Sequence, residues 1–444
     1  MRLTILVLFL VTSVLSVAQL SVVEISLMNV YRYSHQAANL NSSYALVAGG
    51  WDQNQVLSSA EIYDVANEIW DFTESMSVPR TNFALLAIDA NYAIAAGGWD
   101  GTTTNHASTE IYDFQVMSWM EGPSLSVGRS NLNGIKLLDG SVLFTGGFDG
   151  LVDQSSVDVY DPISNTMSAG ANMNSARSSH ASALLNDGRV MVIGGFNPDL
   201  SFQLMECEIY NPFLDEWIEV APLNIGRDNL AAVTLSNGDV LVTGGRYFNG
   251  VLNLFEAQSI AEVYSVENNT WTEISTLEGQ SYHHLFAFDN SIVSSNGADQ
   301  TGNGVTVTYA SSQQFENTTV IGLTNNMGED EEGRYRSAIC GLNNGYLVCG
   351  GDASEQGTAA WWSLASSVED VIFPSWSVFP NPAVDVLVLN GPAFNSWRII
   401  DLKGSEVLQG SSRTILVQSL LSGQYILEIQ SEGVPSRTNI QIVH

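Results

Sequence analysis

Residues Val190–Gly195 read Val-Met-Val-Ile-Gly-Gly, a short apolar run closed by Gly194 and Gly195. The phrase returns at Ala45–Gly50, Ala93–Gly98, Val142–Gly147, Val240–Gly245 and Tyr346–Gly351, ending on Gly49-Gly50, Gly97-Gly98, Gly146-Gly147, Gly244-Gly245 and Gly350-Gly351. A worn copy occupies Ser291–Gly297, and successive copies lie 48 to 54 residues apart. A fixed period of this length means an array of like units. Before four of the phrases stands a tight turn: Asp139-Gly140, Asp187-Gly188, Asn237-Gly238 or Asn344-Gly345. Such dipeptides suit two-residue hairpins, whose central positions need positive φ. Each phrase is therefore the second strand of a hairpin. A third strand follows with a tyrosine (Tyr63, Tyr112, Tyr160, Tyr210, Tyr264, Tyr309) or Trp362, and a fourth carries Trp70, Trp119, Met167, Trp217 or Trp271 seven residues on.

Gly-Gly pairs in register with spaced Tyr and Trp resemble the kelch repeat, over about residues 20–370. The resemblance implies an all-β fold, a β-propeller with one four-stranded blade per repeat. One such sheet cannot bury both faces alone, so blades must stack. Copy seven lacks a fourth strand, while Ser21–Ser26 is a spare one followed by Tyr31-Arg32-Tyr33-Ser34-His35, like Ala176–His180. Seven blades are expected, with the N-terminal strand completing the last and closing the ring. Six blades, with copy six or seven as an appendage, is the alternative.

Other segments frame the propeller. Residues 1–18 read as a secretory signal: Arg2, the apolar run Leu3–Leu10, and Ser16-Val17-Ala18 before Gln19. No stretch is long enough to span a bilayer as a helix. After a linker at 371–375, residues 376–444 hold Val378-Phe379-Pro380-Asn381-Pro382, then Asp401-Leu402-Lys403-Gly404, then Leu420-Leu421-Ser422-Gly423-Gln424-Tyr425. Pro380, Asn381, Pro382, Gly404, Gly423 and Tyr425 carry a resemblance to the type A C-terminal sorting domain of the type IX secretion system. That family implies a small β-sandwich recognised by the secretion machinery, and a secreted or cell-surface location. The lysine-rich ending usual in the family is absent.

The formal net charge is −32, with two lysines, Lys136 and Lys403. Such a chain repels nucleic acid and anionic membranes, and a monomer is expected. Of three cysteines, Cys340 and Cys349 flank Asn343-Asn344-Gly345. With the turn at Asn344-Gly345 their sulfurs face each other and a disulfide can form; otherwise they are apolar core thiols.

Function turns on three sets of residues. Arg32, Arg80, Arg129, Arg177, Arg227 and Arg336 occupy the loop leading into a blade, where copy six has Gln280. A ring of guanidinium groups could hold carboxylates. Yet Glu61, Glu110, Asp158, Glu208 and Glu262 stand two residues before the third-strand tyrosine in the first five copies, whereas copy seven has Ala360. That co-occurrence favours internal ion pairs and leaves Arg336 as the ligand candidate. The second set follows the glycine pairs: Trp51-Asp52, Trp99-Asp100, Phe148-Asp149, and Tyr247, Phe248 and Phe255 in the long Arg246–Ser259 loop. Aromatics beside carboxylates suit sugar stacking, or else serve turns and packing. The third, His35, His180 and His283, falls where other copies carry Phe83, Leu132, Leu230 and Ile339, the mark of a partly buried wall. Asp149, Asp153 and Asp158 lack EF-hand spacing for calcium. The two Tyr, two His and Tyr–Cys set of copper-radical kelch oxidases has no match, so neither metal nor cofactor is expected. The expectation is a non-enzymatic kelch module binding a glycan or protein. The alternatives are a carbohydrate-active enzyme, such as a sialic-acid epimerase or mutarotase-like kelch protein, and a surface-layer structural protein.

Overall fold

The computed structural model describes residues 19–24, residues 26–275 except 53, 201 and 251–253, residues 281–288 and, beyond these, mainly the strands. Every element among the described residues is a strand or turn, and each sheet is antiparallel in its described pairings. Blade 4 shows the pattern. Ala181–Leu184 pairs with Val190–Ile193, which pairs with Cys207–Asn211, which pairs with Glu216–Val220. Val190, Met191, Val192 and Ile193 are all fully buried, because both faces of the second strand lie under neighbouring blades. Blades 1, 2, 3 and 5 repeat this four-strand order, and blade 6 shows His284–Phe288, Ser291–Ser295 and Val307–Thr308.

The last sheet confirms the closure. Its order runs Gln19–Glu24, Ala359–Ala365, Gly345–Cys349, Ala338–Leu342, so the N-terminal strand is the fourth strand of blade 7. Among the described residues seven sheets of three or more strands follow one another as blades, and the six-bladed alternative falls. The first strand of blade 1 packs against the first strands of both blade 2 and blade 7. Successive innermost strands continue this contact from blade 2 to blade 6. The core is accordingly divided among the seams. One cluster joins blades 1 and 2 through Leu46, Ala48, Phe83 and Tyr112. Others join blades 4 and 5 through Ile193 and Leu230, and blades 7 and 1 through Cys349, Leu347, Val47 and Tyr63.

Within blades the aromatics pair as spaced. Tyr63 and Trp70 are cross-strand partners with rings 4.9 Å apart, as are Tyr210 and Trp217. Each tryptophan also reaches the preceding blade. The indole Nε1 of Trp119, Trp217 and Trp271 donates to the carbonyl of Glu74, Ala171 and Ala221, just beyond the fourth strand there. Trp70 Nε1 donates to Ser26 O at 2.8 Å in the same way. Ser26 thus stands where the chain leaves a fourth strand, an independent sign that Gln19–Glu24 belongs to blade 7.

Two expectations need correction. Leu342 pairs with Gly345, so Gly345 belongs to the strand and not to the turn. Cys340 then faces Leu347 and Cys349 faces Ala338, and Cys207, Cys340 and Cys349 are free buried thiols. The Arg246–Ser259 segment is also no simple loop. Strand Val240–Asn249 runs straight through Gly244-Gly245 and folds back onto Leu254–Ala257.

The chain divides into two compact units, Leu20–Leu364 and Ala365–His444. The second holds two sheets. One is Ser377–Phe379, Val386–Asn390 and Thr414–Leu416; the other is Glu406–Gly410, Ser396–Asp401, Gly423–Gln430 and Ser436–Ile442. Trp397, Ile399, Leu427 and Ile442 of the second sheet bury against Ile415, Val417 and Leu420, the core of a small sandwich. Gly423 opens its central hairpin strand and Tyr425 packs on this core, while Pro380, Asn381, Pro382 and Gly404 lie outside the described residues.

Candidate functional site

The start of each first strand and the end of each second strand lie at the same end of a blade, so the approach loops and the loops after Gly-Gly share one face. The arginines are the framework of that face. Arg32, Arg80, Arg129, Arg177 and Arg227 are completely buried. Each pairs with the acid of its own blade: Arg32–Glu61 at 2.8 Å, Arg80–Glu110 at 3.0 Å, Arg129–Asp158, Arg177–Glu208 and Arg227–Glu262 at 2.7 Å. Burial pulls the Arg32, Arg80, Arg129 and Arg227 guanidinium groups below their ordinary pKa, and the carboxylates oppose it. Arg177 also donates to Gly194 O and Glu206 O, both at 2.8 Å. Glu208 accepts from the Asn174 and Ser175 amides, tying down the approach loop. These five arginines are internal fasteners and offer nothing to a ligand; Arg336 lies outside the described residues.

The glycine pair completes the fastener. Gly195 N donates to Arg227 O of the next blade at 2.9 Å. A Cβ on Gly194 would stand 2.6 Å from that same oxygen, and one on Gly195 would stand 2.8 Å from Ser178 O. Both residues have positive φ, 58° and 107°. Glycine is required by the close approach as well as by the conformation.

Inside the fasteners runs a belt. Ser34, Asn82, Asn131, Ser179, Asn229 and Tyr282 all adopt φ between 51° and 57°. Asn131 N donates to Asn82 O at 2.8 Å, Ser179 N to Asn131 O at 3.1 Å, Asn229 N to Ser179 O at 2.9 Å and Tyr282 N to Asn229 O at 3.1 Å. Blade is thereby linked to blade around the mouth of the ring. Asparagine and serine tolerate the left-handed region through local hydrogen bonding.

The histidine wall also resolves. His180 Nε2 meets Thr145 Oγ1 at 2.8 Å, His283 Nε2 meets Thr243 Oγ1 at 2.7 Å, and His35 Nε2 meets Cys349 Sγ at 3.6 Å. Burial pushes His180 and His283 down to about 3, with nearby charged groups adding to it. These neutral, spread-out rings join seams, and among the described residues no group of His, Cys, Asp and Glu could hold a metal ion.

The loops after the glycine pairs divide by blade. Trp51, Trp99, Phe148 and Phe196 each bridge the residue after the framework arginine. Trp51 and Trp99 stack with centroids 6.1 Å apart. Their acids serve turns: Asp52 Oδ1 accepts from Asn54 N and Gln55 N, and Asp149 Oδ1 from Leu151 N and Val152 N. For Asp100, burial works upward, but hydrogen bonds from Thr102 and Thr104 outweigh it and hold the carboxyl at about 2. Tyr247 bonds Glu256 on one side of its hairpin, away from Phe248 and Phe255. Together with Ile225 and Ala257–Ile260, that side lines an open groove of about 380 Å³.

Blades 4 and 5 carry the open aromatic surface. Phe196, Phe202, Phe248 and Phe255 form a row with successive centroids 6.2, 6.0 and 5.3 Å apart. Phe202 is 48% exposed, Phe248 38% and Phe255 41%. Phe202 sits at φ 65°, costly for an aromatic residue. Arg246 lies over the Phe255 ring at 4.7 Å and the Tyr282 ring at 5.5 Å. Sequence reasoning missed Phe202 and Arg246. The signal was there for Arg246, which follows its Gly-Gly where blades 1 to 4 place an aromatic.

The Kelch motif family matches residues 44–77, the second to fourth strands of blade 1 and the segment leaving it. The secretion system C-terminal sorting domain family matches residues 377–443. Among solved structures, one described as "Structure of YjhT" is 15% identical over 68% of this chain and 99% of that chain, with a TM-score of 0.53, a likeness of fold. No curated protein matches the chain. Six Gly-Gly repeats, a worn copy and the two-sheet tail agree with both families, and the chain is a kelch-repeat β-propeller that ends in a type IX secretion sorting domain, the mark of an exported protein.

Proposed function

We propose that the propeller is a non-enzymatic binding module that holds a glycan or protein ligand on its loop face outside the cell. The observation that carries this reading is the exposed row Phe202, Phe248 and Phe255. Exposed aromatics on fixed hairpins lose little entropy on binding, and they offer flat apolar area beside polar groups. Phe202 is held in a costly backbone conformation to join the row, a device common at binding sites. The framework arginines and the main-chain belt hold the surrounding face rigid.

The test is a glycan array probed with the full exported protein, followed by affinity measurements on Phe248→Ala and Phe255→Ala. Each variant should bind at least about tenfold more weakly, about 1.4 kcal/mol, with an unchanged melting temperature. Wild-type affinity in both variants would sink the proposal.

One observation favours an enzyme as the second reading. Asp153 is buried on the same face with Oδ1 unbonded, and burial raises its carboxyl, with Asp199 and Asp149 adding to this and Ser178 opposing. A carboxyl whose pKa burial raises is a candidate to exchange protons with a bound sugar. In that case Asp153→Asn abolishes isomerisation of a bound sugar and spares its binding.

A further inference from the structure

Blade 5 departs from its neighbours at two coupled positions. Blades 1 to 4 follow the glycine pair with Trp51, Trp99, Phe148 or Phe196, bridged to Tyr33, Thr81, Ser130 or Ser178. Blade 5 places Arg246 opposite Asp228. Asp228 is fully buried and accepts from Gln203 Nε2 at 2.8 Å, from Asn229 Nδ2 at 2.5 Å and from Arg246 Nε at 2.6 Å. The acid is thus fixed from three sides, and the guanidinium is fixed through its Nε alone. Its plane is packed by Phe255 and Tyr282. The side chain is 32% exposed, and the two Nη groups have no hydrogen bond among the described residues.

A guanidinium held at one edge presents its other edge as a fork. Two parallel N–H groups fit one planar carboxylate and give it shorter, stronger hydrogen bonds than neutral donors do. Partial burial against aromatic rings strengthens that contact. Beside the fork stand the exposed faces of Phe255 and Phe248, their centroids 5.3 Å apart. The site therefore asks for two features in one ligand: an apolar ring face to stack, and a single carboxylate beside it. A doubly charged phosphate is the poorer match on a protein of net charge −32.

We infer that Arg246, with Phe248 and Phe255, reads the carboxylate of a hexuronate unit in an acidic polysaccharide. The inference rests on the binding reading above and names the ligand class of that same site. The pyranose ring stacks its C–H face on the phenylalanines while the C5 carboxylate takes both Nη groups of Arg246. The Asp228 and Gln203 network keeps the fork in place before the sugar arrives.

The test is calorimetric titration of the full exported protein with tri-galacturonate and with its methyl ester, which keeps the rings and removes the charge. The acid should bind at least about tenfold more tightly than the ester, and the gap should narrow as salt rises. Arg246→Lys keeps a cation beside Asp228 but presents no fork. It should lose that preference, so that acid and ester bind with about equal affinity. Should Arg246→Lys misfold, the Asp228→Asn, Arg246→Gln double variant removes both charges together and should show the same loss. Equal binding of acid and ester, or an unaltered preference in the variants, overturns the inference and leaves the binding reading standing. Failure of both sugars to bind also overturns it, and the binding reading is then decided separately by the Phe248→Ala and Phe255→Ala variants.

Discussion

A histidine stands inside a propeller seam at position 180 because position 145 holds a hydroxyl. The residue before each Gly-Gly lies against the wall residue of the next blade, and the two agree in character. Ala48, Ala96 and Ile193 share clusters with Phe83, Leu132 and Leu230. Thr145, Thr243 and Cys349 meet His180, His283 and His35. His180→Leu should therefore cost about 1–3 kcal/mol by stranding the buried Thr145 hydroxyl. The Thr145→Ile, His180→Leu pair copies the Ile193–Leu230 seam and should recover most of that loss. The pair should also flatten the acid limb of stability. Folded His180 stays neutral down to about 3, whereas the unfolded ring titrates near 6.5. Between those values the unfolded state binds more protons, so the histidine's contribution is whole above 6.5 and declines as pH falls toward 3. Urea midpoints should show the wild type losing about 2 kcal/mol more than the double variant between pH 7 and pH 5. Parallel losses in the two proteins would refute this account. The wall was legible in the sequence as alternating His and apolar residues. Its partner position was not, because that pairing crosses from one repeat to the next.

At the scale of elements, the approach loop is the part most open to a single change. Arg177 satisfies two carbonyls and one carboxylate at once, and Glu208 holds the loop amides. Arg177→Met should cost about 3–5 kcal/mol, since it leaves Glu208 buried without its cation. Adding Glu208→Gln should return part of that, because no uncompensated charge remains. Chemical denaturation of both variants measures the difference, and a double variant no more stable than the single would contradict it. Arginine and acid recur together in five repeats, so this ion pair could be read from the sequence. The Arg246–Ser259 segment could not be read correctly, because Gly-Gly ends a strand in blades 1 to 4 but lies within one in blade 5. What differs is the chain beyond, where Phe248 pairs with Phe255 and Arg246 with Ala257 to extend the ladder.

For the whole molecule, the ring is closed by six residues from the start of the described chain. Gln19–Glu24 supplies the outer strand of blade 7, and Asn29 and Val30 just beyond it donate to Glu61 of blade 1. Removing residues 19–24 exposes the edge of Ala359–Ala365 to strand addition. The shortened protein should melt at a lower temperature and elute partly as larger species in size-exclusion chromatography. Unchanged melting and a single monomeric peak would show that closure does not depend on this strand.

The sequence by itself determined the all-β class, the repeating blade and the sorting tail; it led to the expectation of seven blades closed by an N-terminal strand, and the sheet order decided that over six. These follow from periodicity, turn chemistry and local motifs, which act over a few residues and repeat in phase. The tertiary structure alone decided what each polar residue does. Asp52, Asp100 and Asp149 became turn acceptors, and Arg246 and Phe202 joined Phe248 and Phe255 as an open surface. The physical reason is that burial and hydrogen-bond partnership are set by neighbouring blades, whose contacts lie one whole repeat away along the chain.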